Sequence, residues 1–179
     1  MKMSRVISFA LACLLIFAGL SVFVCAEDLT FAPKTKNGKI YGIPASTKES
    51  SVAHAYHNAV VEVFDKNGKA ISNDALVGTG YTVKINGYSY AAVVYGDIDG
   101  DGEIKSFDYV AVKRAYLGTA KLGILETEAA GVKEGGKLSA INYIMVRRAY
   151  FGTYDMNRAY NCEPYCPSGD NGGFTEGWV

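Results

Sequence analysis

Apolar and polar residues are arranged in three distinct ways along this chain, and each arrangement predicts a different kind of element. Across residues 28–95, short β-branched and aromatic runs are broken by turn residues. Lys39–Ile43 is entered by Asn37-Gly38, residues 60–64 are closed by Asp65-Lys66-Asn67-Gly68, and residues 81–85 lead through Asn86-Gly87 into residues 88–95. Asn-Gly between two β-rich runs suits a two-residue hairpin, because both turn positions need positive φ. Residues 47–58 predict one short helix, with Ser46 or Thr47 as its cap and Glu49 in the first turn.

From Asp97 onward the apolar spacing becomes helical and the chain duplicates itself. Tyr109-Val-Ala-Val-Lys-Arg-Ala-Tyr-Leu-Gly-Thr119 returns as Tyr143-Ile-Met-Val-Arg-Arg-Ala-Tyr-Phe-Gly-Thr153, with 7 of 11 positions identical. At 100° per residue, Tyr109, Val112 and Tyr116 share one helix face, and Phe107, Ala111 and Arg114 share the opposite one. The second copy repeats this with Tyr143, Val146 and Tyr150 against Ile141, Met145 and Arg148. The matching Tyr/Val/Tyr stripes are expected to pack on each other. Two alike surfaces then remain, each setting apolar residues beside cations, as protein-binding sites do. Ser106 caps the first helix and Gly118 ends it in this reading.

The two ends differ from both patterns. Lys2 and Arg5 precede an apolar run over residues 6–24, and Val24-Cys25-Ala26 resembles a cleavage site, which predicts a secretory signal over residues 1–26. Residues 157–179 are rich in Gly, Pro and Asn, lack apolar periodicity, and predict a flexible tail.

Composition narrows the function classes. Eighteen basic and eighteen acidic residues give a net charge of +0, which favours neither nucleic acid nor an anionic membrane as partner. Of four cysteines, only Cys162 and Cys166 follow the signal. They can close a small disulfide loop, and no histidine lies near them to complete a zinc site. His54 and His57 read as a surface pair. With no nucleophile motif, no acid pair and no segment left to house a catalytic domain, the chain is expected not to be an enzyme.

The most informative segment is Asp97-Ile-Asp-Gly-Asp-Gly-Glu-Ile-Lys-Ser-Phe-Asp108. A twelve-residue loop of this kind wraps Ca²⁺ with oxygens from alternate positions and a closing carboxylate. Asp97, Asp99, Asp101, the Glu103 carbonyl and Asp108 are the expected ligands, with Gly102 at the sharp turn and Ile104 as an apolar pin. The closing residue is Asp where the general pattern has Glu. The duplicate loop over residues 131–142 keeps Gly136 and Leu138 but holds Gly131, Lys133, Gly135 and Asn142 at ligand positions. It is expected to hold no calcium, because a hard cation needs several anionic oxygens.

The pattern GDIDGDGEIKSFD, followed at once by a helix ending in VKRAYLG and then repeated, resembles a type I dockerin. The match covers about a third of the chain, and in the second half it rests on the helix alone. The resemblance implies two EF-hand-like loop–helix halves, calcium-dependent folding and binding to a cohesin on a scaffoldin, within an extracellular polysaccharide-degrading complex. It places Ser106, Phe107, Lys113, Arg114 and Gly118 of one half at the cohesin, with Ala140, Ile141, Arg147, Arg148 and Gly152 of the other. Ala111 and Met145 join them from the helix-face reading. The preceding LVGTGYTVKINGYSYAAVVYGDIDGDG resembles the small β-rich modules found before such dockerins in bacterial exported proteins. The expected fold class is α+β, a small β-rich module followed by an all-α dockerin domain. The expected order is signal 1–26, module 27–95, dockerin-like domain 96–156 and tail 157–179. An alternative function is a carbohydrate-binding or adaptor protein, its many Tyr meeting glycan while the dockerin tethers it.

Overall fold

Two Asn-Gly pairs set up the sheet. Asn37 and Gly38 take φ of 51° and 72°, and Asn86 and Gly87 take 49° and 85°, the left-handed pair that a tight hairpin needs. The first joins β1 (Lys34–Lys36) to β2 (Lys39–Ile43), and the second joins β4 (Thr82–Ile85) to β5 (Tyr88–Val94). In this computed structural model, which describes residues 31–157, these strands and β3 (Val61–Phe64) form one five-stranded sheet ordered β1-β2-β5-β4-β3. Pairing is antiparallel except between β2 and β5, which run parallel. A parallel pair needs a long crossover, and here it carries α1 (Glu49–Ala55), β3 and β4. The expected signal and the Cys162/Cys166 pair lie outside the described residues, as does all of the expected tail beyond Asn157.

Strand alternation puts apolar side chains on both faces of the sheet. On one face, Ile40, Ile43, Ala92 and Val94 pack with Val63, Val83, Val77 and Val52 of α1. On the other, Tyr41 and Val93 meet Ile98, Ala130 and Met156. Three helices contribute to this second cluster: Val112 from α2 (Ser106–Tyr116), Ala129 from α3 (Ile124–Ala129) and Val146 from α4 (Ala140–Tyr150).

This packing corrects the expected fold class. The chain is a mixed α/β protein with a five-stranded sheet and four helices among the described residues, its core built largely on the sheet. It is not a small β-rich module followed by an all-α domain. The physical reason is the narrowness of the helical stripes. Each eleven-residue helix of the duplication completely buries one apolar side chain, Val112 or Val146. The flanking tyrosines are only partly covered, with Tyr109 meeting Tyr150 at 5.3 Å between ring centroids. So little buried area stabilises weakly on its own, and Tyr41 and Val93 of the sheet complete the cluster.

Candidate metal centre

Strand β5 delivers the first acidic residue directly into the interior. After Val94 the chain turns at Gly96, whose N–H donates to the Ala129 carbonyl at 2.8 Å, and Asp97 follows fully buried. Its Oδ1 accepts N–H bonds from Gly100 (2.7 Å) and Asp101 (3.1 Å), and its Oδ2 from Thr79 (2.8 Å) and Gly102 (3.1 Å). Asp108, in the first turn of α2, is equally buried. Its Oδ1 accepts from Ile98 (2.7 Å) and Asp99 (3.2 Å), and its Oδ2 from Lys105 (2.6 Å). That last bond closes the helix N-terminus, so Lys105 occupies the capping position expected for Ser106.

Carboxylate oxygens of Asp97, Asp99 and Asp108 lie within 4.8 Å of one another. Asp99 is exposed, so the cluster opens to solvent on its side. Asp101 and Glu103 stand apart: the Lys105 ammonium bridges them at 2.7 Å and 2.5 Å. Three of the predicted carboxylates therefore converge, while Asp101 and the Glu103 side chain share a lysine.

Among the described residues, the buried charge of the cluster has no cationic side chain beside it. Burial pushes the Asp97 carboxyl from 3.8 up to about 6, despite the N–H donors of Thr79, Gly100 and Gly102, and Asp108 adds to the rise. Burial likewise raises Asp108. Among the described residues no lysine, arginine or histidine pairs with either. At Asp101 partial burial works upward, but the Lys105 ammonium and the Glu103 N–H outweigh it and its carboxyl falls below the ordinary range. The donor set is all oxygen, which fits a hard cation such as Ca²⁺ and offers no nitrogen or sulfur for a softer one.

A pH dependence follows from the sign of these shifts. A carboxyl raised on folding stabilises the fold fully below its unfolded value, and that contribution is lost as pH rises through the folded value. Metal-free protein is therefore expected to lose stability between about pH 4 and 6 through Asp97, with Asp108 acting in the same direction. A dication seated here would need the same groups ionised, so its affinity would fall at least tenfold per pH unit below about 6. Thermal melts at pH 5 and 7, with EDTA and with saturating calcium, should show opposite trends.

The duplicate loop satisfies its own polar groups without a cation. Asn142, aligned with Asp108, accepts from Ser139 N (3.0 Å) and Ser139 Oγ (2.7 Å) and donates from Nδ2 to the Ala130 carbonyl (3.2 Å). Glu134 turns away and accepts from Asn37 Nδ2 at 3.0 Å. Among the described residues only the first loop forms an acidic cluster of ligand geometry.

The two helices that follow the loops present repeated exposed faces. Ser106, Phe107, Lys113, Arg114 and Gly118 are exposed, as are Ile141, Arg147, Arg148 and Gly152; Ala140 is half-buried. Phe107 is 73% exposed and Ile141 58%, high values for large apolar side chains. Ala111 and Met145 instead lie half-buried against the second core cluster. The residues completing the face are Val110 on α2, Leu117 just past its end, and their counterparts Ile144 and Phe151, all exposed. Their spacing of three and ten from Phe107 or Ile141 is a helical repeat that the sequence carries openly.

Comparison with protein-family models, curated proteins and solved structures finds no match to this chain. Sequence reasoning missed Thr79, whose contribution is a backbone N–H and leaves no side-chain signature. It also missed Glu128, which accepts from Lys39 Nζ (2.6 Å) and the Tyr41 hydroxyl (3.0 Å) and ties α3 to β2.

Proposed function

We propose that this chain is a non-catalytic, exported docking protein that binds a cohesin module of a scaffoldin in a calcium-dependent manner and so joins an extracellular polysaccharide-degrading complex. The observation that carries this reading is the convergence of Asp97, Asp99 and Asp108 beneath a helix whose outer face exposes Phe107 and Arg114. Calcium held by these carboxylates, with the Glu103 carbonyl as a further oxygen and Asp101 joining once it leaves the Lys105 ammonium, neutralises the buried charge and fixes the start of α2. Lys113 and Arg114, with Arg147 and Arg148 of the duplicate, flank apolar residues that suit a hydrophobic partner surface with an acidic rim. The leader-like start supports export. Among the described residues no helix is long and apolar enough to cross a membrane.

The test is capture of the full chain on a panel of immobilised cohesins, with calcium and with EDTA. At least one cohesin is expected to retain the protein only with calcium. Replacing Phe107 and Ile141 together by Ala is expected to weaken that binding by at least a hundredfold, or about 3 kcal/mol. Retention by none of the panel would count against docking.

A further inference from the structure

The first loop is gripped from outside by three segments of the sheet half of the chain. Ser46 takes a φ of 63°, unusual for a residue with a side chain, and its N–H donates to the Gly102 carbonyl at 2.6 Å. Lys66, in the turn after β3, donates from Nζ to the Asp99 carbonyl at 2.5 Å. Thr79 donates its N–H to Asp97 Oδ2 at 2.8 Å, while its hydroxyl bonds the carbonyl and N–H of Val94 at 3.1 Å and 3.0 Å. Between these points the two backbones touch. A Cβ on Gly78 would overlap the Gly100 carbonyl, and one on Gly102 would come within 2.8 Å of Leu76 Cβ.

From this we propose that residues 76–80, with Ser46 and Lys66, form a clamp that holds the first loop in its ligand-presenting shape and sets its affinity for calcium. The inference rests on the calcium reading above and adds which residues beyond the loop position its ligands. A free twelve-residue loop carrying four aspartates loses backbone entropy and suffers charge repulsion when it closes. The clamp meets both costs during folding, because Ser46, Lys66 and residues 76–80 hold Asp97, Asp99, Gly100 and Gly102 from behind without a cation. Pre-ordering of this kind raises affinity without adding a ligand. The duplicate loop differs at its turn: the three nearest atoms a Cβ on Gly136, aligned with Gly102, would meet all belong to its own loop. Thr79, Ser46 and Lys66 are thus positioning residues for the metal, acting through the loop backbone.

Linkage makes the clamp testable, since a clamp that shapes the site must itself be tightened when the site fills. Hydrogen exchange of the full chain, with EDTA and with calcium, is read at the Ser46 and Thr79 amides and at the loop amides of Gly100 and Gly102. All four are expected to slow at least tenfold with calcium. Slowing confined to residues 97–108, with Ser46 and Thr79 unchanged, would overturn the clamp while leaving the calcium site intact. No calcium uptake by the unaltered protein would instead remove the calcium reading itself. Gly78→Ala is expected to weaken calcium binding in a calorimetric titration at least tenfold while far-ultraviolet circular dichroism keeps its native form. Unchanged affinity in a folded Gly78→Ala protein would also overturn the clamp. If that variant fails to fold, the exchange result on the unaltered chain decides.

Discussion

Asp97→Ala is expected to abolish calcium uptake and to destabilise even the metal-free fold by roughly 3 kcal/mol. Two opposing terms set that figure. The substitution strands the N–H groups of Thr79, Gly100 and Gly102, all bonded to Asp97 in buried surroundings, and each unpaired N–H costs about 1–3 kcal/mol. Against this, it removes a carboxylate whose burial raises it from 3.8 to about 6, a relief of about 3 kcal/mol at neutral pH. The bonds outweigh the charge. Asp97→Asn keeps one acceptor oxygen and should fall between wild type and Ala in EDTA, yet bind calcium far more weakly than wild type. Denaturant melts in EDTA and calorimetric titration separate the two effects.

Glu128→Ala should destabilise the protein by a comparable or larger amount, roughly 3–5 kcal/mol, by leaving a buried cation unpaired. Lys39 and Glu128 keep only 15% and 7% of their side-chain surface exposed, so water barely screens the pair. Tyr41 shares the carboxylate, and burial together with Glu128 raises its phenol above the ordinary range. Loss of Glu128 leaves the Lys39 ammonium and the Tyr41 hydroxyl facing the gap between β2 and α3. The melting temperature should fall by roughly 10 °C or more. Lys39→Met with Glu128→Leu removes both charges and should recover most of that loss, because well-packed apolar pairs replace buried ion pairs at little cost. A double variant no better than Glu128→Ala would show that the charges themselves matter little.

These predictions separate what local pattern reveals from what it hides. Strands β2, β4 and β5 were legible because β-branched runs meet Asn-Gly turns. Strand β1 was not, since Lys34, Thr35 and Lys36 are all exposed and carry no alternation. Helix α3 has six residues, too few for its period to declare itself. The acidic cluster was legible because its chemistry lies in side chains at fixed spacing. What holds them was not, because Ser46, Gly78 and Thr79 act through backbone atoms brought close only by the tertiary fold.

The error in fold class has a readable cause. The run Ala91-Ala92-Val93-Val94 is apolar at consecutive positions, which marks a strand covered on both faces. Val94 faces α1 and Val93 faces the loop–helix repeats. Given that weight, the run predicts a sheet between two layers, with the repeats packed on one of them. The duplication drew attention to the helices as a self-contained pair, when their narrow stripes already required a further surface.

Calorimetric titration of the full chain with calcium at pH 7, above the value of about 6 to which burial raises Asp97, is the most direct measurement. One ion per chain, bound by the first loop and lost with Asp97→Ala, is the predicted result. No heat of binding, or two equivalent ions, would contradict a single dication seated among Asp97, Asp99 and Asp108.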